Sequence, residues 1–128
     1  MVLCIFLLIS LAGCTEQDPN IVKLDSDGSF TAEQCSSREL NDKVIMFESK
    51  YCGHCRETLP DFTEACEDKD ITPIILDLSE EEQVAQFESY GIELVGTPTF
   101  IFGCNYIVGA RDKNVYNENL DIFLSTQV

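Results

Sequence analysis

The sequence is short of positive charge, nearly without histidine, and lacks any apolar run long enough to cross a bilayer. Its 128 residues carry 8 Lys and Arg against 23 Asp and Glu, a formal charge of −15. Bases so few and scattered exclude a nucleic-acid partner, whose phosphates need clustered Lys and Arg. The single histidine, His54, and the want of a second Cys or His pair leave a tetrahedral zinc site short of ligands, so no metal is expected. The leading apolar stretch, residues 1–13, falls below the ~20 residues of a spanning helix. Repeats and low-complexity segments are absent too. With 45% hydrophobic residues, eight Phe and four Tyr, the chain reads as one packed domain rather than a disordered acidic polymer.

What the chain has in excess is sulfur. Seven Cys are too many for a typical cytosolic protein of this size and too few for a disulfide-dense miniprotein. Cys4 is expected to leave with a signal peptide and Cys14 to be blocked by lipid. Residues 1–13 have the length of a signal-peptide hydrophobic region, and Leu11-Ala12-Gly13-Cys14 resembles a lipobox, in which small residues precede the Cys that is lipidated. The chain turns polar at once after Cys14, so residues 14–20 read as a lipidated tether and residues 21–128 as the domain. No Lys or Arg precedes the apolar run, where a signal peptide carries positive charge. A buried N-terminal segment and a misassigned start codon are the alternatives. A lipoprotein signal predicts an anchor at the extracytoplasmic face of the membrane, where thiols oxidise.

Along the domain, residues 21–24 read as an edge strand before a turn at residues 25–28. Thr31 with Gln34 forms a capping box for a helix to about Leu40. Residues 43–47 are a continuous β-rich apolar run, the mark of a strand covered on both faces. A long helix follows over about residues 52–69, with Leu59, Phe62, Ala65 and Cys66 at helical spacing and Pro60 predicting a kink. Residues 71–78 read as the next strand. Ser79 and Glu82 suggest a second capping box, for a helix burying Val84, Phe87 and Tyr90 and stopping at Gly91. Residues 99–102 and 106–108 form a hairpin, and Leu120, Phe123 and Leu124 mark a last amphipathic helix. The order β-α-β-α-β-α-β-β-α describes an α/β fold, a mixed sheet with helices on both faces.

The chemistry is expected at Cys52-Gly53-His54-Cys55, where a buried strand gives way to a helix. Cys52 would sit at the helix start, whose unpaired N–H groups and positive dipole end favour a thiolate. Cys55, one turn in, is placed to close a disulfide and is less exposed. An imidazole at His54 within reach of Cys52 would stabilise the reduced form and make the couple more oxidising; an exposed helix residue without effect is the bland alternative. Gly96-Thr97-Pro98-Thr99 marks a candidate cis peptide just before a strand.

Together these pieces resemble a thioredoxin-fold thiol–disulfide oxidoreductase over residues 21–128. The resemblance rests on residues 44–48 followed by Cys-Gly-His-Cys, Pro60 five residues later, Tyr90-Gly91-Ile92, Gly96-Thr97-Pro98-Thr99 and Val108-Gly109-Ala110. Gly53-His54 is the dipeptide found in protein disulfide isomerases. The resemblance implies a thioredoxin fold with Cys52 as nucleophile, Cys55 as resolving thiol and Pro98 as the cis-proline facing them. The Thr97 backbone would bind the substrate chain as an added strand. It implies no cofactor. The substrates would be thiols or disulfides of exported proteins, and a membrane redox partner would recycle the enzyme. Three features depart from the pattern. The buried acid that the family keeps six residues before the first Cys is here Met46; Glu48, on the same sheet face, either replaces it or is a solvated strand-end charge. Tyr51 stands where an aromatic Trp is usual, and the loop over residues 91–98 is about two residues longer than in thioredoxin itself.

Cys35, Cys66 and Cys104 remain. Cys66 fits a buried apolar position. Two of the three are expected to form a structural disulfide, with Cys35–Cys104 preferred and the pairing left open. The acidic surplus reads as a solvated surface that biases substrate choice toward basic or neutral polypeptides. The competing function is a client-binding or partner-binding module on the same fold, with incidental redox activity.

Overall fold

Side-chain alternation along one central strand decides the architecture. The computed structural model describes residues 20–127; the proposed signal, Cys4 and Cys14 lie outside them. In chain order the elements are β1 (Val22–Leu24), β2 (Gly28–Ser29), α1 (Ala32–Ser37), β3 (Val44–Glu48), α2 (Gly53–Asp68), β4 (Ile74–Asp77), α3 (Glu81–Glu88), β5 (Ile92–Leu94), β6 (Thr99–Phe102), β7 (Asn105–Val108) and α4 (Lys113–Ser125). The main sheet has the order β2-β7-β6-β3-β4. β3 runs parallel to β4, which requires the α2 crossover, and antiparallel to β6.

In β3, Val44 and Met46 point to one side and Ile45 and Phe47 to the other. The first pair packs with Cys55, Phe62 and Ala65 of α2, Phe100 and Phe102 of β6, and Tyr116 and Leu120 of α4. The second packs with Leu24, Cys35, Leu40, Leu76, Tyr90 and Ile101. The sheet is thus covered on both faces, which is why its central strand reads as an unbroken apolar run. Phe62 anchors the first core, with its ring centroid 4.9 Å from that of Phe100 and 5.6 Å from that of Tyr116. The Tyr116 hydroxyl accepts from the Arg111 amide at 2.9 Å and bonds the Thr58 hydroxyl, so this buried polar group is satisfied and links α2 to the start of α4.

The Thr31–Gln34 capping box is present in both directions, at 3.1 and 2.9 Å. The second capping box is not. Ser79 Oγ donates to Asp77 Oδ1 at 2.5 Å, and Glu80 holds the cap position of α3 without a side-chain bond. The nearby aspartate simply competes better for the serine hydroxyl. The strand expected over residues 71–78 is only Ile74–Asp77, because Pro73 lacks a donor for the ladder. Leu124 is exposed, and Tyr116 takes its place on the buried face of α4. The long loop after Gly91 contains β5, which pairs parallel with β1 as a separate two-stranded ribbon. Gly91 itself has φ +66°, the left-handed turn that ends α3.

Candidate active site

The dithiol end of the sheet is built where β3 stops and α2 begins. Cys52 is the N-cap of α2, and its sulfur accepts from the Cys55 amide at 3.1 Å. A sulfur here faces the unpaired N–H groups of the first turn, which favour its anionic form. No acidic residue stands in that first turn, although α3 carries Glu81 and Glu82 in its own. Cys52 and Cys55 are joined, with Cα atoms 5.2 Å apart. Cys52 is half-buried and Cys55 fully buried, so only the first sulfur is open to a partner.

The loop leading to Cys52 is held from three sides. The Ser49 carbonyl accepts from the Cys52 amide at 3.0 Å, and Arg56 donates to the Lys50 carbonyl at 2.8 Å. The Lys50 amide donates to Asp77 Oδ1 at 3.3 Å, which ties the loop to β4. Across the gap, Thr97 O lies 3.4 Å from Cys52 Sγ, and the Thr97–Pro98 peptide is cis. This loop is pinned by the Gly109 amide to Pro98 O at 2.8 Å and by Thr99 Oγ1 to Gly96 O at 2.8 Å. Tyr51 and Val95 are exposed apolar side chains on the two loops that flank the sulfur.

The remaining predicted residues separate. A Cβ at Gly53 would meet only Arg56 Nη2, at 4.0 Å, so the helix start is open to solvent there. His54 projects outward, its side chain 81% exposed and its Nδ1 4.0 Å from Glu57 Oε2. Among the described residues His54 makes no hydrogen bond to either sulfur. Met46 is fully buried beside Cys55, so the usual acid position is apolar. Glu48 is the next β3 residue on that face; burial, then the nearby Asp77 charge, holds its carboxyl above the ordinary glutamate range. Asp77 shifts the other way, drawn below the usual carboxylate range by hydrogen bonds from Ser79.

At the far end of the sheet, Cys35 of α1 is bonded to Cys104 of the β6–β7 turn, with Cα atoms 5.4 Å apart. Cys66 is free and buried, and burial pushes its thiol up to about 12. Sequence reasoning missed Asp77. Its signal was an aspartate ending the strand that parallels the dithiol strand, but such a residue ordinarily reads as a solvated cap. Among the described residues no helix is long and apolar enough to cross a membrane.

The thioredoxin family model matches residues 20–121. Among solved structures, a chloroplast thioredoxin z is similar with TM-score 0.51 at 13% identity, over 86% of this chain and 99% of that one. A point mutant of the thioredoxin of Halobacterium salinarum is similar with TM-score 0.50 at 16% identity, over 88% of this chain and 97% of that one. At these identities the likeness establishes the fold. No curated protein matches the sequence. The family match spans the dithiol, the cis-proline loop and the sheet between them, and the chain belongs to the thioredoxin family.

Proposed function

We propose that the protein is a thiol–disulfide oxidoreductase of exported proteins, held by lipid on Cys14 at the extracytoplasmic face of the membrane and recycled by a membrane redox partner. The observation that carries the reaction is the placing of Cys52 Sγ, 3.1 Å from the Cys55 amide and 3.4 Å from Thr97 O. In the reducing direction the Cys52 thiolate attacks a substrate disulfide, forming a mixed disulfide and releasing one substrate thiolate. Cys55 then loses its proton and attacks Cys52 Sγ, closing the enzyme disulfide and releasing the second substrate thiolate. Oxidation is the same path reversed. Thr97 and Pro98 lay the substrate backbone against the sulfur as an added strand, with Tyr51 as apolar cover. Oxidation or isomerisation is favoured over reduction, because the exported setting supplies oxidant and Gly53-His54 is the dipeptide found in protein disulfide isomerases.

The test is dithiothreitol-driven insulin reduction, and reoxidation of reduced ribonuclease, with wild type and Cys52→Ser. Both activities should disappear in the variant. Activity that survives would instead support a client-binding module with incidental redox chemistry. The reduction potential then sets the direction: about −180 to −120 mV marks an isomerase or oxidant, near −270 mV a reductant.

A further inference from the structure

The loop that faces Cys52 is braced from behind by one short segment, residues 108–111, in the bend between β7 and α4. The Gly109 amide donates to Pro98 O at 2.8 Å, and the neighbouring Thr97 O lies 3.4 Å from Cys52 Sγ. Where the loop stands therefore depends on what fixes residues 108–111. Packing does not hold the middle of the segment. Gly109 has φ +94°, a Cβ built on it would meet nothing within 4 Å, and Ala110 is exposed.

Arg111 holds the segment instead, through its backbone and its side chain at once. Its amide donates to the Tyr116 hydroxyl at 2.9 Å, and its carbonyl accepts from Thr58 Oγ1 at 3.2 Å. Thr58 is buried on α2, three residues beyond Cys55, so the second bond ties the segment to the dithiol helix. Arg111 Nη2 donates to Asp27 Oδ1 and Oδ2, both at 2.7 Å, and to Val108 O at 3.1 Å. Asp27 Oδ1 also accepts from the Val108 amide at 2.9 Å. A single carboxylate, from the turn between β1 and β2, thus binds both ends of the segment that carries Gly109. The two side chains are partly exposed, and an ion pair so placed adds little to stability. Its effect lies in where it puts the chain.

We propose that Asp27 and Arg111 are positioning residues of the thiol–disulfide reaction: they hold residues 108–111 so that Gly109 keeps the Thr97–Pro98 loop in place for an extended polypeptide beside Cys52. The proposal rests on the oxidoreductase reading above, and it makes the pair a determinant of substrate size. A polypeptide that lies along Thr97 as an added strand needs the loop in position before sulfur meets sulfur. A small disulfide without a peptide backbone reaches Cys52 without that strand. The chemistry is the same for both. The Cys52 thiolate bonds one substrate sulfur, and the other leaves with the electron pair of the broken bond.

The experiment mixes pre-reduced protein with a disulfide-bonded peptide or with bis(2-hydroxyethyl) disulfide, over a range of concentrations, for wild type, Asp27→Ala and Arg111→Lys. Asp27→Ala removes the acceptor shared by Arg111 and Val108. Arg111→Lys replaces the planar guanidinium by a point charge. Asp27→Ala should raise the half-saturating peptide concentration and lower the second-order rate with peptide roughly tenfold, within the usual effect of a misplaced binding group. The rate with the small disulfide should stay as in wild type. Arg111→Lys should show a smaller loss of the same kind. Hydrogen exchange of the Gly109 amide should quicken in Asp27→Ala. An equal loss with both disulfides, an undiminished peptide rate or an unchanged Gly109 exchange overturns the proposal. If Asp27→Ala does not fold, the ratio of the two rates in Arg111→Lys decides: an unchanged ratio overturns it. Cys52→Ser separates the two levels. Activity in that variant sinks the oxidoreductase reading, whereas its inactivity together with a wild-type ratio in Asp27→Ala sinks only the role of the pair.

Discussion

The two ends of the sheet each carry a disulfide, and the bonds differ in everything but their atoms. Cys52–Cys55 spans three residues at a helix start, with one sulfur partly open and a cis-proline loop opposite. Cys35–Cys104 spans 69 residues, with Cys35 fully buried and α1 tied to the β6–β7 turn. Loop entropy separates them further. Closing the long loop restrains the unfolded chain by about 4 kcal/mol, whereas the short one contributes about 1.5 kcal/mol. The helix N-terminus lowers the cost of a thiolate at Cys52 only. A cysteine becomes reactive or structural through its separation from its partner and the end of the helix it sits on, not through the bond it makes.

Exchanging the roles should fail in both directions. Cys52→Ser is expected to lower oxidoreductase turnover on the order of 10³-fold or more, with only a small change in unfolding midpoint. Replacing both Cys35 and Cys104 by Ala should leave the Cys52–Cys55 potential unchanged. It should cost about 4 kcal/mol in urea unfolding under oxidising conditions. A double variant that keeps its midpoint but shifts the dithiol potential would erase the division between the two ends.

His54 sharpens the same contrast with a smaller effect. It lies one residue from the buried Cys55 yet is 81% exposed, so it acts on the Cys52 thiolate only through solvent-screened space. His54→Ala is expected to make the couple more reducing by roughly 10–30 mV, read by equilibration with glutathione. No change would assign the whole stabilisation of the thiolate to the helix start.

Much of this was legible in the residues because the features are local. Cys52 and Cys55 announce themselves by spacing at a strand–helix junction, Thr31 and Gln34 by capping chemistry, and Pro98 by its place before β6. What escaped depends on residues far apart in sequence. β5 has three residues, too few to show a period, and exists because β1 pairs with it. Ser79 reads as a cap in sequence, yet Asp77 captures its hydroxyl. The Glu48–Asp77 pair exists only once β3 and β4 are laid side by side in one register.

That pair predicts the smallest of these effects, and its sign separates the ends of the molecule once more. A carboxyl whose proton is held more tightly in the folded state favours folding at acid pH. The advantage fades as pH rises from the unfolded value through the folded one, so ionised Glu48 costs stability at neutral pH. Asp77 has the opposite sign: it stabilises above the ordinary aspartate range, and that stabilisation is lost as pH falls through its lowered value. Glu48→Gln should therefore raise the melting temperature at pH 7 by about 1–2 °C, a few tenths of a kcal/mol after solvent screening. At pH 3 and below, where Glu48 is protonated in the folded and the unfolded chain alike, the two proteins should melt together. If the gap persists at acid pH, the strain at Glu48 is one of packing rather than charge. A gap that closes means that an ionised carboxylate costs the dithiol end stability, while Cys35–Cys104 adds it at the other.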